Sequence, residues 1–210
     1  MKKIAYITIT LLSSLLLFGL MNGSLAAEVI AKTDGDLSEW KKDKPVAVLD
    51  QWDQCKENPG NWQGPDDLSG KFFLREDTDY LFITAEIKDN KPLYNPRETD
   101  MMAGWYKITI DGDALKVTLN YAQATTDIVV FPGMYGTNPK VYVIKSPKTK
   151  SKVLDKAEVA AAYTTEFSGY TLEVKLPKQE LGLEGNLVSA TWELYDSDGP
   201  ASTCKSMKTQ

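Results

Sequence analysis

Apolar and polar residues alternate one by one through several short stretches of this chain. That period of two is the pattern of a half-buried strand, whereas the apolar face of a helix recurs every three to four residues. In 80–89, Leu81, Ile83, Ala85 and Ile87 share one face while Thr84, Glu86 and Lys88 take the other. The same alternation runs through 114–121 with Leu115, Val117, Leu119 and Tyr121, through 170–176 with Tyr170, Leu172, Val174 and Leu176, and through 188–194 with Val188, Ala190, Trp192 and Leu194. Shorter strands are predicted over 46–50, 70–75, 105–111, 128–131 and 141–145. Asp34-Gly35, Pro59-Gly60, Asp111-Gly112, Pro132-Gly133, Ser168-Gly169 and Asp198-Gly199-Pro200 supply chain reversals between them. The Lys- and Ala-rich stretch 148–162 has helical character, but its second half alternates again through Val159, Ala161 and Tyr163 and reads as strand. The segment 177–183 reads as a short helical turn. Many short strands parted by turns predict an all-β, antiparallel two-sheet β-sandwich of jelly-roll or immunoglobulin-like kind, in a single domain.

The first residues carry a different message. Lys2 and Lys3 precede a nearly uncharged apolar run from Ile4 to Leu20, and small residues follow at Ser24-Leu25-Ala26. This is the layout of a secretory signal peptide over 1–26, cleaved after Ala26, with the sandwich domain over 27–210. The run approaches the length of a retained anchor, but its basic start and small-x-small end favour cleavage. No cysteine follows it to accept a lipid, so no stable membrane insertion is expected after cleavage, and the protein is expected to be exported to the periplasm or secreted. The net charge is −5, and losing two lysines with the signal makes the mature chain more acidic. That charge argues against nucleic acid as a partner.

Cys55 and Cys204 are the two cysteines of the chain. In an oxidising compartment such a pair predicts a disulfide, worth about 4 to 5 kcal/mol for so long a loop in the chain-entropy model. A metal site on two cysteines would need further soft or imidazole ligands, and the chain has no histidine. The same lack removes the commonest general base, leaving carboxylate pairs as the only ready route to catalysis. No enzyme activity is predicted.

Four segments, in order, resemble the family 9 carbohydrate-binding modules and their relatives in the DOMON-like superfamily. They are the opening turn Asp34-Gly35-Asp36-Leu37-Ser38-Glu39-Trp40; the stretch from Asp66-Asp67-Leu68-Ser69 through Asp79-Tyr80-Leu81-Phe82-Ile83 to Asp89; the strand from Trp105 to Asp111; and the run from Gly169-Tyr170 through Pro177 to Tyr195-Asp196-Ser197-Asp198. The resemblance implies a β-sandwich that binds a poly- or oligosaccharide in a slot where tryptophans sandwich a sugar. It also implies structural calcium. The chain departs from the family at Ala103-Gly104-Trp105-Tyr106-Lys107, where an acidic residue is usual.

A sugar offers apolar C–H faces and a rim of hydroxyls, so its site needs aromatic plates with amides or charges around them. Trp52 and Trp62 stand in the turn-rich stretch 50–64, either as such plates or as loop anchors packed beside Cys55. Trp105 is either the opposing plate or a cap on the core. Asn61, Gln63 and Arg97 are candidate polar partners, and Trp40 and Trp192 read as core. For calcium, hard oxygen ligands gather at Asp34 and Asp36, at Asp89 with Asn90, at Asp111 and Asp113, and at Asp196 and Asp198. Asp34, Asp36 and Asp196 rank first, against the plainer reading that aspartate favours turns in its own right. Two other functions suit such a sandwich. One is electron transfer by a b-type haem held by Met101, Met102 or Met134 opposite a lysine; the other is a structural envelope interaction module.

Overall fold

The inward-facing residues of the alternating runs meet across the gap between two antiparallel sheets. The computed structural model describes residues 31–57, 59–91, 98–99, 107–108, 112–133, 138–166, 168–196 and 206–209. In chain order its strands are β1 (Ala47–Leu49), β2 (Cys55–Glu57), β3 (Leu68–Glu76), β4 (Tyr80–Asp89), β5 (Glu98–Thr99), β6 (Lys107–Ile108), β7 (Ala114–Tyr121), β8 (Ala124–Phe131), β9 (Lys140–Lys145), β10 (Lys150–Val153), β11 (Glu158–Tyr163), β12 (Gly169–Pro177), β13 (Leu187–Tyr195) and β14 (Ser206–Lys208). A five-stranded sheet has the order β1-β3-β4-β12-β11, and a seven-stranded sheet the order β10-β9-β8-β7-β13-β14-β2; β5 and β6 pair separately. All pairings are antiparallel. No helix among the described residues is long and apolar enough to cross a membrane.

Between the sheets, Phe72, Leu81, Ile83, Ala85 and Ile87 face Leu115, Val117, Leu119, Trp192 and Leu194 in one buried cluster. Each fully buried Leu, Ile or Phe there contributes about 1.5–3 kcal/mol of transfer free energy. Trp192 of β13 stacks on Phe72 of β3 across the gap, with ring centroids 4.8 Å apart and planes 17° from parallel.

Two expectations need correcting. The first half of 148–162 is not helical, because β10 pairs with β9 and continues the sheet; ladder pairing overrides the helix preference of Lys and Ala. Val188 does not face inward. The register of β13 slips between Leu187 and Ser189, which leaves Val188 69% exposed while Leu187 packs on the core in its place. A bulge of this kind reverses the alternation on one side of the slip. By contrast, 177–183 holds the expected short turn, helix α1 (Lys178–Leu181) capped by left-handed Gly182.

The opening turn covers the outer face of the five-stranded sheet. Trp40 is buried there with Ala31, Phe73 and Phe82, and Arg75 lies 4.4 Å over its ring while pairing with both carboxylate oxygens of Asp43. Gly35, at φ 86°, lets the turn approach β11, since a Cβ there would sit 3.0 Å from that of Ala162. Glu173, pointing outward from β12, accepts hydrogen bonds from Gly35 N at 2.7 Å, Asp34 N at 3.0 Å and Trp40 Nε1 at 3.0 Å.

Burial raises the Glu173 pKa above the usual 4.5, and its three hydrogen bonds oppose that shift without cancelling it. The folded protein therefore holds this proton more tightly than the unfolded chain, and stability falls as pH rises from the unfolded pKa through the folded one. Urea unfolding of wild type and Glu173→Gln, from the ordinary carboxyl range up to neutrality, should show this slope in the wild type only. Parallel curves would rule out the carboxyl as its source.

At one end of the sandwich the sheets are joined by Glu76, whose Oε2 accepts from Lys178 Nζ and Tyr121 OH, each at 3.1 Å, while its Oε1 accepts from Leu187 N. Glu76 ends β3 of the five-stranded sheet, and its partners come from β7 and β13 of the seven-stranded sheet and from α1.

Candidate functional site

The loop from β1 to β3 runs along a sandwich edge and carries most of the expected sugar contacts. Gln54 braces its first turn: its Oε1 accepts from Asp50 N at 2.8 Å and Gln51 N at 2.9 Å, and its Nε2 donates to Val48 O at 3.0 Å. The short 3-10 turn Trp52–Gln54 thereby holds Trp52 outward, 58% exposed. Trp62 behaves differently. It packs on the main core and donates Nε1 to Leu68 O at 2.9 Å, so it anchors the loop. Gln63 is exposed, with its backbone N–H held by Asp67. Asn61 lies in the 3-10 turn Pro59–Asn61. Trp105, Arg97, Met101, Met102, Met134 and Cys204 lie outside the described residues.

Beside this loop, on the outer face of the five-stranded sheet, is an open groove of about 160 Å³ lined by Val48, Asp50, Ser69, Lys71, Glu86 and Lys88. Lys71 pairs with Glu86 at 3.1 Å and Lys88 with Asp66 at 2.7 Å. The hydrogen bond between Lys88 and Asp66 raises the lysine pKa and lowers the aspartate pKa. Both pairs are solvent-exposed and worth little to stability. They form a row of donors and acceptors at the spacing of neighbouring strands. Trp52 lies two residues from Asp50, and Gln51 Nε2 donates to Asp50 Oδ1 at 2.8 Å. Sequence reasoning missed this row: in the strand pattern Lys71, Glu86 and Lys88 are ordinary solvent-facing positions, and only strand register brings them together.

The acidic candidates separate. Asp34 Oδ1 accepts from Asp36 N, and Asp36 Oδ1 accepts from Ser38 N, so these exposed carboxylates serve the turn they occupy. Asp196 is elsewhere, grouped with Asp89 and Asp113. All three are buried at the sandwich end opposite Glu76. Beside them is the Tyr170 hydroxyl, whose pKa is raised first by burial and then by the charges of Asp113 and Asp89, with Asp196 also contributing.

At the other edge, β14 lies between β13 and β2, with Met207 opposite Cys55 and Ser206 opposite Glu57. No cysteine is free among the described residues.

Fold and site together define a two-sheet β-sandwich with an exposed tryptophan loop beside a polar groove and a cluster of buried aspartates at one end. Among solved structures it is similar to a family 9 carbohydrate-binding module from Caldicellulosiruptor kristjanssonii in complex with glucose, at 13% identity, covering 85% of this chain and 81% of that one, with TM-score 0.49. It is also similar to that organism's family 9 module in complex with cellotriose, at 12% identity, covering 85% and 77%, with TM-score 0.48. No protein-family model matches the chain, and no curated protein matches it. At these identities and TM-scores the likeness decides neither ligand nor site.

Proposed function

We propose that this chain is an exported, non-catalytic carbohydrate-binding protein, in which Trp52 stacks a sugar ring and the adjoining groove hydrogen-bonds its hydroxyls. The observation that carries the reading is Trp52 itself. An indole 58% exposed on a braced turn keeps apolar area in water at little entropic cost to a ligand, because its backbone is already fixed. Asp50, Ser69, Lys71, Glu86 and Lys88 offer acceptors and donors for hydroxyls beside it. At about 160 Å³ the groove is smaller than the ~300–1,000 Å³ of an enclosed small-molecule pocket, which suits contact with a poly- or oligosaccharide that remains partly in solvent. The non-catalytic reading is supported by the placement of the carboxylate group that gathers among the described residues, Asp89, Asp113 and Asp196, which are 1%, 1% and 5% exposed. A glycan could not reach them to place its bond between two carboxyls. A glycan array with the purified protein tests this reading: enrichment of one sugar class supports it, and an array without signal contradicts it.

Export and a Cys55–Cys204 disulfide belong to the same proposal. The disulfide is supported by Cys55 not being a free cysteine. It would fasten β2, which pairs only with β14 among the described strands, and so steady the Trp52 turn that leads into β2. Alkylation without reductant followed by intact-mass analysis should find no modified thiol. Two labelled cysteines in the native protein would refute the bond.

A further inference from the structure

We propose that β11, an edge strand of the five-stranded sheet, pairs antiparallel with β11 of a second copy of this chain about a twofold axis at Ala161, making one continuous ten-stranded sheet. The five-stranded sheet ends in β1 on one side and β11 on the other. A bare edge presents unpaired N–H and C=O groups to any strand that meets it, and proteins blunt such edges by shortness, by lysine or proline, or by a bulge. The other edges have these devices. β1 and β2 have three residues each, and β10 has four, two of them lysine. By contrast, β11 has six residues, without lysine or proline, and its register with β12 runs unbroken from Glu158 to Tyr163.

The hydrogen-bond phase of β11 fixes which backbone groups are left over. Thr164 N donates to Gly169 O at 3.0 Å. Bonded pairs alternate with non-bonded ones along an antiparallel ladder, so Ala162, Ala160 and Glu158 turn their backbone groups toward β12, and Val159 and Ala161 turn theirs away. Among the described residues no strand lies on that side, and nothing bonds the N–H or C=O of Val159 or Ala161 there. The opening turn leaves this edge open. It lies over β12, where Thr171 Oγ1 donates to Gly35 O at 2.8 Å and Glu173 accepts from Asp34 N and Gly35 N, and it reaches β11 at the Cβ of Ala162, on the outer face.

The occupant is a second copy because this edge is self-complementary. With Ala161 opposite Ala161, Val159 falls opposite Tyr163, and both belong to the face that packs on the core. Ala160 falls opposite Ala162 on the outer face, where small side chains let the strands close. In the turns that flank the strand, exposed Lys156 falls opposite exposed Glu166, twice over by symmetry, and Glu158 falls opposite Thr164. Opposite charges therefore meet at both ends and like charges do not. Lys156, which pairs with Glu180 of its own copy, gains a second carboxylate. A twofold contact of this kind closes at two copies, so it builds no fibre. Because β1 stands at the far side of the sheet, nine strand spacings put the two β1 strands roughly 43 Å apart, at about 4.8 Å each. The Trp52 turns follow β1 at those outer ends. In the carbohydrate reading, on which this one consequence rests, the dimer offers two sugar surfaces to one polysaccharide and binds it with avidity.

The test is sedimentation equilibrium and light scattering on the purified protein over rising concentration. Expected is a monomer–dimer equilibrium that levels off at twice the chain mass, with amide hydrogen exchange at Val159 and Ala161 slowing as the dimer forms. Ala161→Pro removes an N–H that the ladder with β12 does not use, a position where an edge strand accepts proline, so the variant should fold and stay monomeric. Glu166→Lys changes an exposed turn residue, sets like charges opposite Lys156 at both ends, and should raise the dimer dissociation constant at least about tenfold. It keeps the proposal testable even if Ala161→Pro fails to fold. The proposal is overturned if the wild type is monomeric at every concentration, if the two amides exchange equally fast in monomer and dimer, or if either folded variant dimerises as tightly as the wild type. None of these outcomes involves a sugar, so the dimer and the carbohydrate surface stand or fall separately.

Discussion

Trp192→Ala should destabilise the protein by roughly 3–5 kcal/mol, the range for truncating a large buried aromatic. The indole is 1% exposed and stacks on Phe72 of the facing sheet, so its loss removes contact area from both layers at once. The gap cannot readily close. Trp192 sits mid-strand in β13, opposite Val117 of β7 and flanked by paired residues on both sides, while Phe72 is held between β1 and β4. Collapse into the cavity would have to shift one whole ladder against the other. Urea denaturation at equilibrium measures the loss through the midpoint, with the slope unchanged if the native state keeps its compactness. A loss below about 1 kcal/mol would mean that the inter-sheet core tolerates this cavity, contrary to the packing described.

The two-layer fold was legible because alternation survives in long strands. Leu81, Ile83, Ala85 and Ile87, and again Leu115, Val117, Leu119 and Tyr121, face the core as their spacing requires. Short edge strands were not legible: β2 and β14 have three residues each, too few to display a period, and they exist because they pair with one another. The bulge beside Val188 was hidden for a related reason, since a slipped register leaves an apolar residue apparently in phase. Trp40 was rightly assigned to packing, but it covers the outer face of a sheet and is held there by Glu173, a long-range partner no local pattern reveals.

The candidate sites were legible in part. The exposed placement of Trp52 follows from its turn-rich surroundings, whereas Trp62 occupies the same kind of segment and is drawn inward by Leu68. The cluster of buried aspartates had a usable signal that turn chemistry obscured. Asp89, Asp113 and Asp196 each continue the inward phase of a strand, while Asp34 and Asp36 sit in a turn that explains them fully. Strand phase therefore separates the buried carboxylates from the turn-forming ones better than aspartate density does.

Trp52→Ala should abolish most sugar affinity while changing stability by less than about 0.5 kcal/mol, as expected for a surface side chain away from the core. Its indole is exposed, and the turn beneath it is held by the Gln54 side chain and backbone, neither of which the substitution removes. Stacking an aromatic plate against a sugar's C–H face concentrates binding energy in that one residue, so removing the plate should cost far more than removing any single hydroxyl contact. Trp62→Ala, in contrast, should lower stability as well, because it deletes core packing and the bond to Leu68. The most direct test is isothermal titration of wild type and Trp52→Ala with the best ligand from the glycan array, alongside unfolding curves for both. The account predicts a saturable wild-type isotherm and at least a tenfold weaker variant of equal stability, a difference of about 1.4 kcal/mol or more in binding; equal affinity in the two proteins would contradict it.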